Sequence, residues 1–157
     1  MNLTITATVF EDLSELTVED NQLMQQAIAA RLKAYAPYSK FSVGAALLLA
    51  NNEVVLGNNQ ESAAYPSGMC AERVAVWKAG SDFPGVAIVK MAITASSTIK
   101  TVRKPIGPCG ACRQTLSEYE INQQTPMEVL FMGEVGQIVK TNSLLDLLPF
   151  SFDNAYL

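Results

Sequence analysis

The chain has 157 residues, 49% of them apolar and 17% charged, which suits one compact domain spanning 1–157 with a core of its own. A net charge of −4 offers no basic face for nucleic acid, so the expected partner is a free small molecule. No stretch is long and apolar enough to span a bilayer, and no basic start leads into an apolar run at the N-terminus, so neither membrane nor secretion is expected.

Residues 1–16 open with alternation: Leu3, Ile5, Ala7 and Val9 against Thr4, Thr6 and Thr8. Period two with β-branched residues predicts an extra strand or arm, to which no chemistry is assigned. Thr17 then reads as an N-cap, with Glu19 and Asp20 in a first helical turn. Met24, Ala27, Ile28, Leu32 and Tyr35 follow at helical spacing, so this helix is expected to run until shortly before Pro37. Residues 41–50 and 54–57 are apolar runs joined through Asn51-Asn52, a pair suited to a tight turn, and predict a hairpin. A polar loop leads to a helix that opens at Cys70 and is expected to stop at Gly80.

Residues 86–95 predict a buried strand. A helix opens at Pro108-Cys109 and is expected to end between Tyr119 and Ile121. Strands at 128–132 and 137–140 follow, then a short helix over 143–148 halted by Pro149. Only four residues separate the last two strands. Parallel neighbours need a crossover of about a dozen residues, so these two must be antiparallel. The sum is an α/β fold, a three-layer α/β/α sandwich on a mixed sheet of about five strands.

All three cysteines fall at the two helix openings, in Cys70-Ala71-Glu72-Arg73 and in Pro108-Cys109-Gly110-Ala111-Cys112, and the chain contains no histidine. Thiolates are soft ligands, and Cys-x-x-Cys is a common way to offer two of them to zinc. Cys109 and Cys112 share a helix face, and a helix N-terminus favours thiolate. Cys70 and Glu72 would diverge on a regular helix, so Cys70 is expected at the cap. Three thiolates without an imidazole leave the fourth zinc position open or filled by a carboxylate, and three protein ligands plus water is the catalytic arrangement. Glu72 is then placed to handle protons. Three thiolates on Zn²⁺ carry a formal charge of −1, and Arg73 is positioned to offset it by hydrogen bonds to sulfur, a role in which the planar fork of arginine has no equal in lysine. Other readings stay open at this point. Cys109 and Cys112 also suit a redox pair, and three inert core cysteines, a plain surface Arg73 or an exposed Glu72 are the bland ones. Reduced thiolates point to the cytoplasm.

The same blocks carry a family resemblance. Cys-Ala-Glu followed by Pro-Cys-x-x-Cys resembles the zinc-dependent nucleoside and nucleobase deaminases, a class whose chemistry is well described. Tyr35 to Phe41, Val43 to Ala46, Ala63-Ala64-Tyr65, Pro108 to Gln114, and Leu147-Leu148-Pro149 with Phe152 narrow it to the small three-cysteine cytidine deaminases. The resemblance covers about residues 35–152. It implies hydrolytic deamination of cytidine and 2′-deoxycytidine in pyrimidine salvage, with one Zn²⁺ per chain on Cys70, Cys109 and Cys112. Glu72 moves protons to N3 and then to the leaving amine. Asn59 and Glu61 hold the ribose, although Ser62 stands where the family more often has asparagine. Phe41 lies against the pyrimidine and the Ala71 N–H holds O2. A homotetramer is implied, with Phe152 reaching a neighbouring subunit's site. An antiparallel final strand associates with the branch acting on free nucleosides. Two alternatives remain beside this: a deaminase of a modified cytosine nucleoside, of the blasticidin type, and a non-catalytic zinc or redox protein.

Overall fold

The computed structural model describes residues 2–157; Met1, the start of the expected N-terminal strand, lies outside the described residues. The elements are β1 (Ala7–Phe10), α1 (Val18–Arg31), β2 (Phe41–Leu49), β3 (Val54–Asn58), α2 (Ala71–Asp82), β4 (Ile88–Ser97), α3 (Gly110–Gln123), β5 (Glu128–Met132) and β6 (Ile138–Thr141), with a 3₁₀ turn at Leu144–Leu147. They build one mixed sheet in the order β1-β6-β5-β4-β2-β3. Only β4 and β5 run parallel, joined by the α3 crossover; the other neighbours are antiparallel, including β5 and β6.

The layers follow from period-two splitting of the strands. Ala45, Leu47, Met91, Ile93 and Val129 face α2 and α3, where Ala71, Ala75, Val76 and Leu116 close one core. Ala46, Ala92, Leu130, Met132 and Ile138 face the other way, onto Leu23, Met24 and Ala27 of α1. Both faces of the central strands are therefore covered, which is why they read as unbroken apolar runs.

The sheet has six strands, one more than expected, because residues 7–10 pair with β6 in register Ala7↔Thr141 to Phe10↔Ile138. Phe10 packs on the α1 core, while Leu3, Ile5 and Val9 stay exposed, Val9 at 52%. β6 is only four residues long, so nothing pairs with residues 2–6.

Thr17 caps α1 as expected, its hydroxyl accepting from Asp20 N–H at 3.1 Å. The helix ends at Arg31, short of Tyr35. Leu32 is 79% exposed, and Tyr35 instead exchanges backbone hydrogen bonds with Asn59 and Glu61. That long-range pairing outcompetes a further helical turn. α2 runs through Gly80 to Asp82. Gly80 serves packing, since a Cβ there would lie 2.9 Å from Tyr119 Oη on α3. β4 begins at Ile88 rather than at Val86, because Gly85 takes φ +79 and Val86 N–H closes a turn onto Phe83 O.

A buried ion network ties α1 to the sheet. Lys90 Nζ pairs with Asp20, with Glu19 at 3.3 Å and with Glu128 at 3.2 Å. Lys140 Nζ reaches Asp20 and Glu128, both at 3.0 Å.

Candidate metal centre and active site

Two helix N-termini converge at the site. Cys70 is the N-cap of α2, with φ −73 and ψ 151, and Cys109 is the N-cap of α3, with φ −65 and ψ 165. Extended cap geometry turns each sulfur across its helix opening, so Cys70 does not diverge from the cluster as a helical residue would. Cys112 lies one turn inside α3 and is fully buried. The three Sγ atoms lie within 4.8 Å of one another, with Cys109 and Cys112 at 3.5 Å. Three thiolates bound about 2.3 Å from one zinc stand roughly 3.8 Å apart, so the cluster fits a single ion. Among the described residues, no carboxylate joins the group to close a fourth position.

The electrostatics suit such a centre. Arg73 Nη2 donates to Cys70 Sγ at 3.4 Å, and its guanidinium lies 6.0 Å from the Trp77 ring centre. The Cys112 thiol and the Arg73 cation together bring the Cys70 thiol down to about 5. Cys112 moves upward, through its hydrogen bond to Cys70 and its burial. Arg73 itself is pushed up by the sulfurs it faces. Glu72 is only 5% exposed. Burial first, and then the charge of Cys70, raise its carboxyl to about 7, where one group both accepts and returns a proton near neutral pH.

Cys70, Cys109 and Glu72 open onto a cavity of about 560 Å³. Phe41, Asn59, Glu61, Ala71 and Arg73 line it as well. A slightly larger cavity, about 600 Å³, lies between α2 and α3 but holds neither a cysteine nor Glu72; the chemistry belongs to the first. Ala71 is the first helical residue of α2, and N–H groups there have no partner within the helix. Asn59 spends one bond at each end of its amide on β2: Oδ1 accepts from Val43 N–H at 2.8 Å and Nδ2 donates to Phe41 O at 2.9 Å. One lone pair and one hydrogen remain for a ligand. Ser62 accepts from Ala64 N–H at 3.2 Å within its own loop. Phe152 is not brought to this cavity; it stacks on Tyr156 at 5.5 Å, 57% exposed.

Several contributors carry no sequence signal of their own. Val43, Ile93 and Ile106 form the apolar lining, and on sequence alone they are indistinguishable from core. Arg113 donates to Pro108 O at 2.8 Å and Leu147 O at 2.9 Å, pinning the segment that presents Cys109. Its place within the Pro108 to Gln114 block was the only hint.

A family model described as the cytidine and deoxycytidylate deaminase zinc-binding region matches residues 17–126. The chain belongs to this deaminase family. The cytidine deaminase of Halalkalibacterium halodurans is 35% identical over 136 residues, which is 86% of this chain and 95% of that protein. The cytidine deaminase of Sporosarcina psychrophila is 37% identical over 83% of this chain and 89% of its own. Among solved structures, the cytidine deaminase of Burkholderia pseudomallei superposes with a TM-score of 0.73 at 39% identity, covering 87% of this chain and all of that one. The cysteine cluster fits the one Zn²⁺ per chain that this zinc-binding family carries.

Proposed function

We propose that the chain deaminates cytidine and 2′-deoxycytidine to uridine and 2′-deoxyuridine, releasing ammonia, as a step in pyrimidine salvage. The observation that carries this reading is the three-sulfur cluster, two of whose members, Cys70 and Cys109, share one cavity wall with a buried Glu72. Zinc held by Cys70, Cys109 and Cys112 supplies the Lewis acidity that activates water at neutral pH.

The chain's own residues do the rest. Glu72 takes a proton from the attacking water, passes it to N3 of the pyrimidine, and passes a second to the departing amine. Burial, which disfavours the charged carboxylate, suits a group that must both take and return a proton. The Ala71 N–H holds O2, and Phe41 packs on the ring. Glu61 and the free capacity of Asn59 receive the sugar hydroxyls. Arg73 keeps Cys70 a thiolate. Water gives its oxygen to C4 and ammonia leaves, so the atoms balance with no further reactant.

Phe152 reaches the cavity of a neighbouring subunit in a homotetramer. Its exposure on this chain, beside an almost fully exposed Phe150, supports that reading. No helix among the described residues is long and apolar enough to cross a membrane, and reduced thiolates favour the cytoplasm. The test is direct: incubation of purified protein with cytidine should bleach the cytidine absorbance band, with uridine and ammonia recovered in equal amounts. An unchanged spectrum with zinc-replete protein would overturn the proposal.

A further inference from the structure

We propose that Ser39 is a positioning residue for the sugar end of the cavity, fixing the Glu61 carboxylate and the Phe41 backbone in one arrangement. The inference rests on the deaminase reading of the site.

Residues 36–40 form a turn closed by Lys40 N–H to Ala36 O at 3.2 Å, with Lys40 at φ 57. The turn directs two successive N–H groups at one oxygen, Glu61 Oε2: Tyr38 at 3.0 Å and Ser39 at 3.2 Å. The Ser39 hydroxyl donates to the other oxygen, Oε1. Three donors from two adjacent residues make a concave seat for a carboxylate. A hydroxyl has one proton, and here Glu61 receives it. The Ser39 oxygen then accepts from Phe41 N–H at 3.0 Å. Phe41 O is already held by Asn59. The backbone of Phe41 is thus clamped on one side by Ser39 and on the other by Asn59. Ser39, Phe41, Asn59 and Glu61 all line the same cavity.

The electrostatics agree with the geometry. The Glu61 carboxyl lies below its ordinary value, chiefly through the Ser39 hydroxyl, helped by the two backbone N–H groups and the Lys40 charge. Lys40 is the cation facing it; Glu72 and Arg73 line the same cavity. An ionised carboxylate only accepts, so it can take a hydrogen bond from a sugar hydroxyl. Without Ser39, one oxygen keeps two donors and the other has none, so the carboxylate plane is free to turn. The loss falls equally on bound substrate and transition state, which raises KM and spares kcat.

The experiment compares wild type, Ser39→Ala and Ser39→Thr on cytidine and on 2′,3′-dideoxycytidine, with zinc content measured for each. The dideoxy sugar lacks both ring hydroxyls, the 2′ and the 3′, and keeps only the 5′-hydroxyl. Ser39→Ala should raise KM for cytidine about 10-fold, the effect of losing a bond to a charged group, with kcat within about twofold. On dideoxycytidine its KM should rise far less, by only what a loosened Phe41 backbone costs the ring contact, and Ser39→Thr should recover most of the loss on cytidine. An equal KM rise on both substrates, a fall in kcat alone, or a Thr variant no better than Ala would overturn the proposal. Wild type active on cytidine with unchanged Ser39→Ala kinetics overturns the role of Ser39 alone. Wild type inactive on cytidine overturns the deaminase reading and this inference with it.

Discussion

Gly57→Ala tests how tightly the metal centre is tied to the sheet. Gly57 lies on β3, beneath the first turn of α2. A Cβ there would stand 2.3 Å from Ala71 O, 2.6 Å from Ala75 N and 2.9 Å from Ala75 Cβ, where ordinary contact begins near 3.4 Å. β3 is held by its ladder to β2, with Gly57 opposite Ala45, so the helix must yield by roughly 1 Å. The moving turn carries Cys70, Ala71 and Glu72, whereas Cys109 and Cys112 stay with α3. A misplacement of about 1 Å can cost about 10²-fold in rate, so kcat should fall about 100-fold. Overpacking of this kind costs about 1–3 kcal/mol, so the protein should still fold, with a lower Tm. Zinc should also be lost at lower chelator concentration, because the two sulfur-bearing helices no longer share one geometry. Steady-state kinetics, metal analysis and thermal melts on the same preparation check this. Zinc-replete Gly57→Ala with wild-type kcat would refute the idea that β3 sets the position of the α2 opening.

Four further outcomes are expected. Glu72→Gln should keep zinc and fold but lose about 10²- to 10⁴-fold in kcat, the range of a proton-transfer group, checked by kinetics and metal analysis. Arg73→Ala should remain folded but release zinc on acidification at a higher pH than wild type: Arg73 holds the Cys70 thiol down, its loss raises that thiol, and protons then compete with metal earlier, as a chromophoric chelator would report. Asp20→Asn should destabilise by about 3–5 kcal/mol at neutral pH in denaturant melts, because it strips Lys90 and Lys140 of a shared buried partner. Phe152→Ala should raise KM for nucleosides more than it lowers Tm, and light scattering on wild type should report a tetramer.

The Asp20 network also fixes a pH window. Burial alone would raise the Asp20 carboxyl, but the hydrogen bonds from Lys90 and Lys140 outweigh it and hold the group below 3.8. Its contribution is therefore present above that value and is lost as pH falls through the lowered pKa. Burial pulls Lys90 down, yet Asp20 and Glu128 win and raise it to about 12. Its contribution is complete below 10.5 and is lost as pH rises through about 12. The stability gap between wild type and Asp20→Asn should accordingly be flat from pH 5 to 9, begin to shrink below pH 4 and close once pH has fallen through the lowered Asp20 value; a gap that does not shrink on acidification would contradict the ion-pair account.

The parts of this protein legible in its sequence are those where few residue types satisfy the physics. Three cysteines without a histidine left almost no choice of metal ligands, and the divergence of Cys70 from Glu72 on a helix put Cys70 at a cap, as found; Cys109, read as part of a helical face with Cys112, is itself an extended cap. The short link expected after residue 132 allowed only an antiparallel pair, as found with β6 beginning one residue later, at Ile138. What was illegible depends on contacts distant in sequence. The end of α1 is decided by Tyr35 pairing with Asn59 and Glu61, and nothing near Leu32 announces it. Gly80 carries the same letter as a helix stop, yet its missing Cβ makes room for Tyr119, 39 residues on. Lys90 sits within an apolar strand and finds Asp20 some 70 residues away. The alternation in residues 3–9 is real, but alternation names two faces without saying which is inward, and the four residues of β6 leave that choice to Phe10. Ser39 shows the same limit at the site itself. Its hydroxyl has meaning only once Glu61, 22 residues later, is folded against it, so a residue inside a legible motif still waits on the fold for its role.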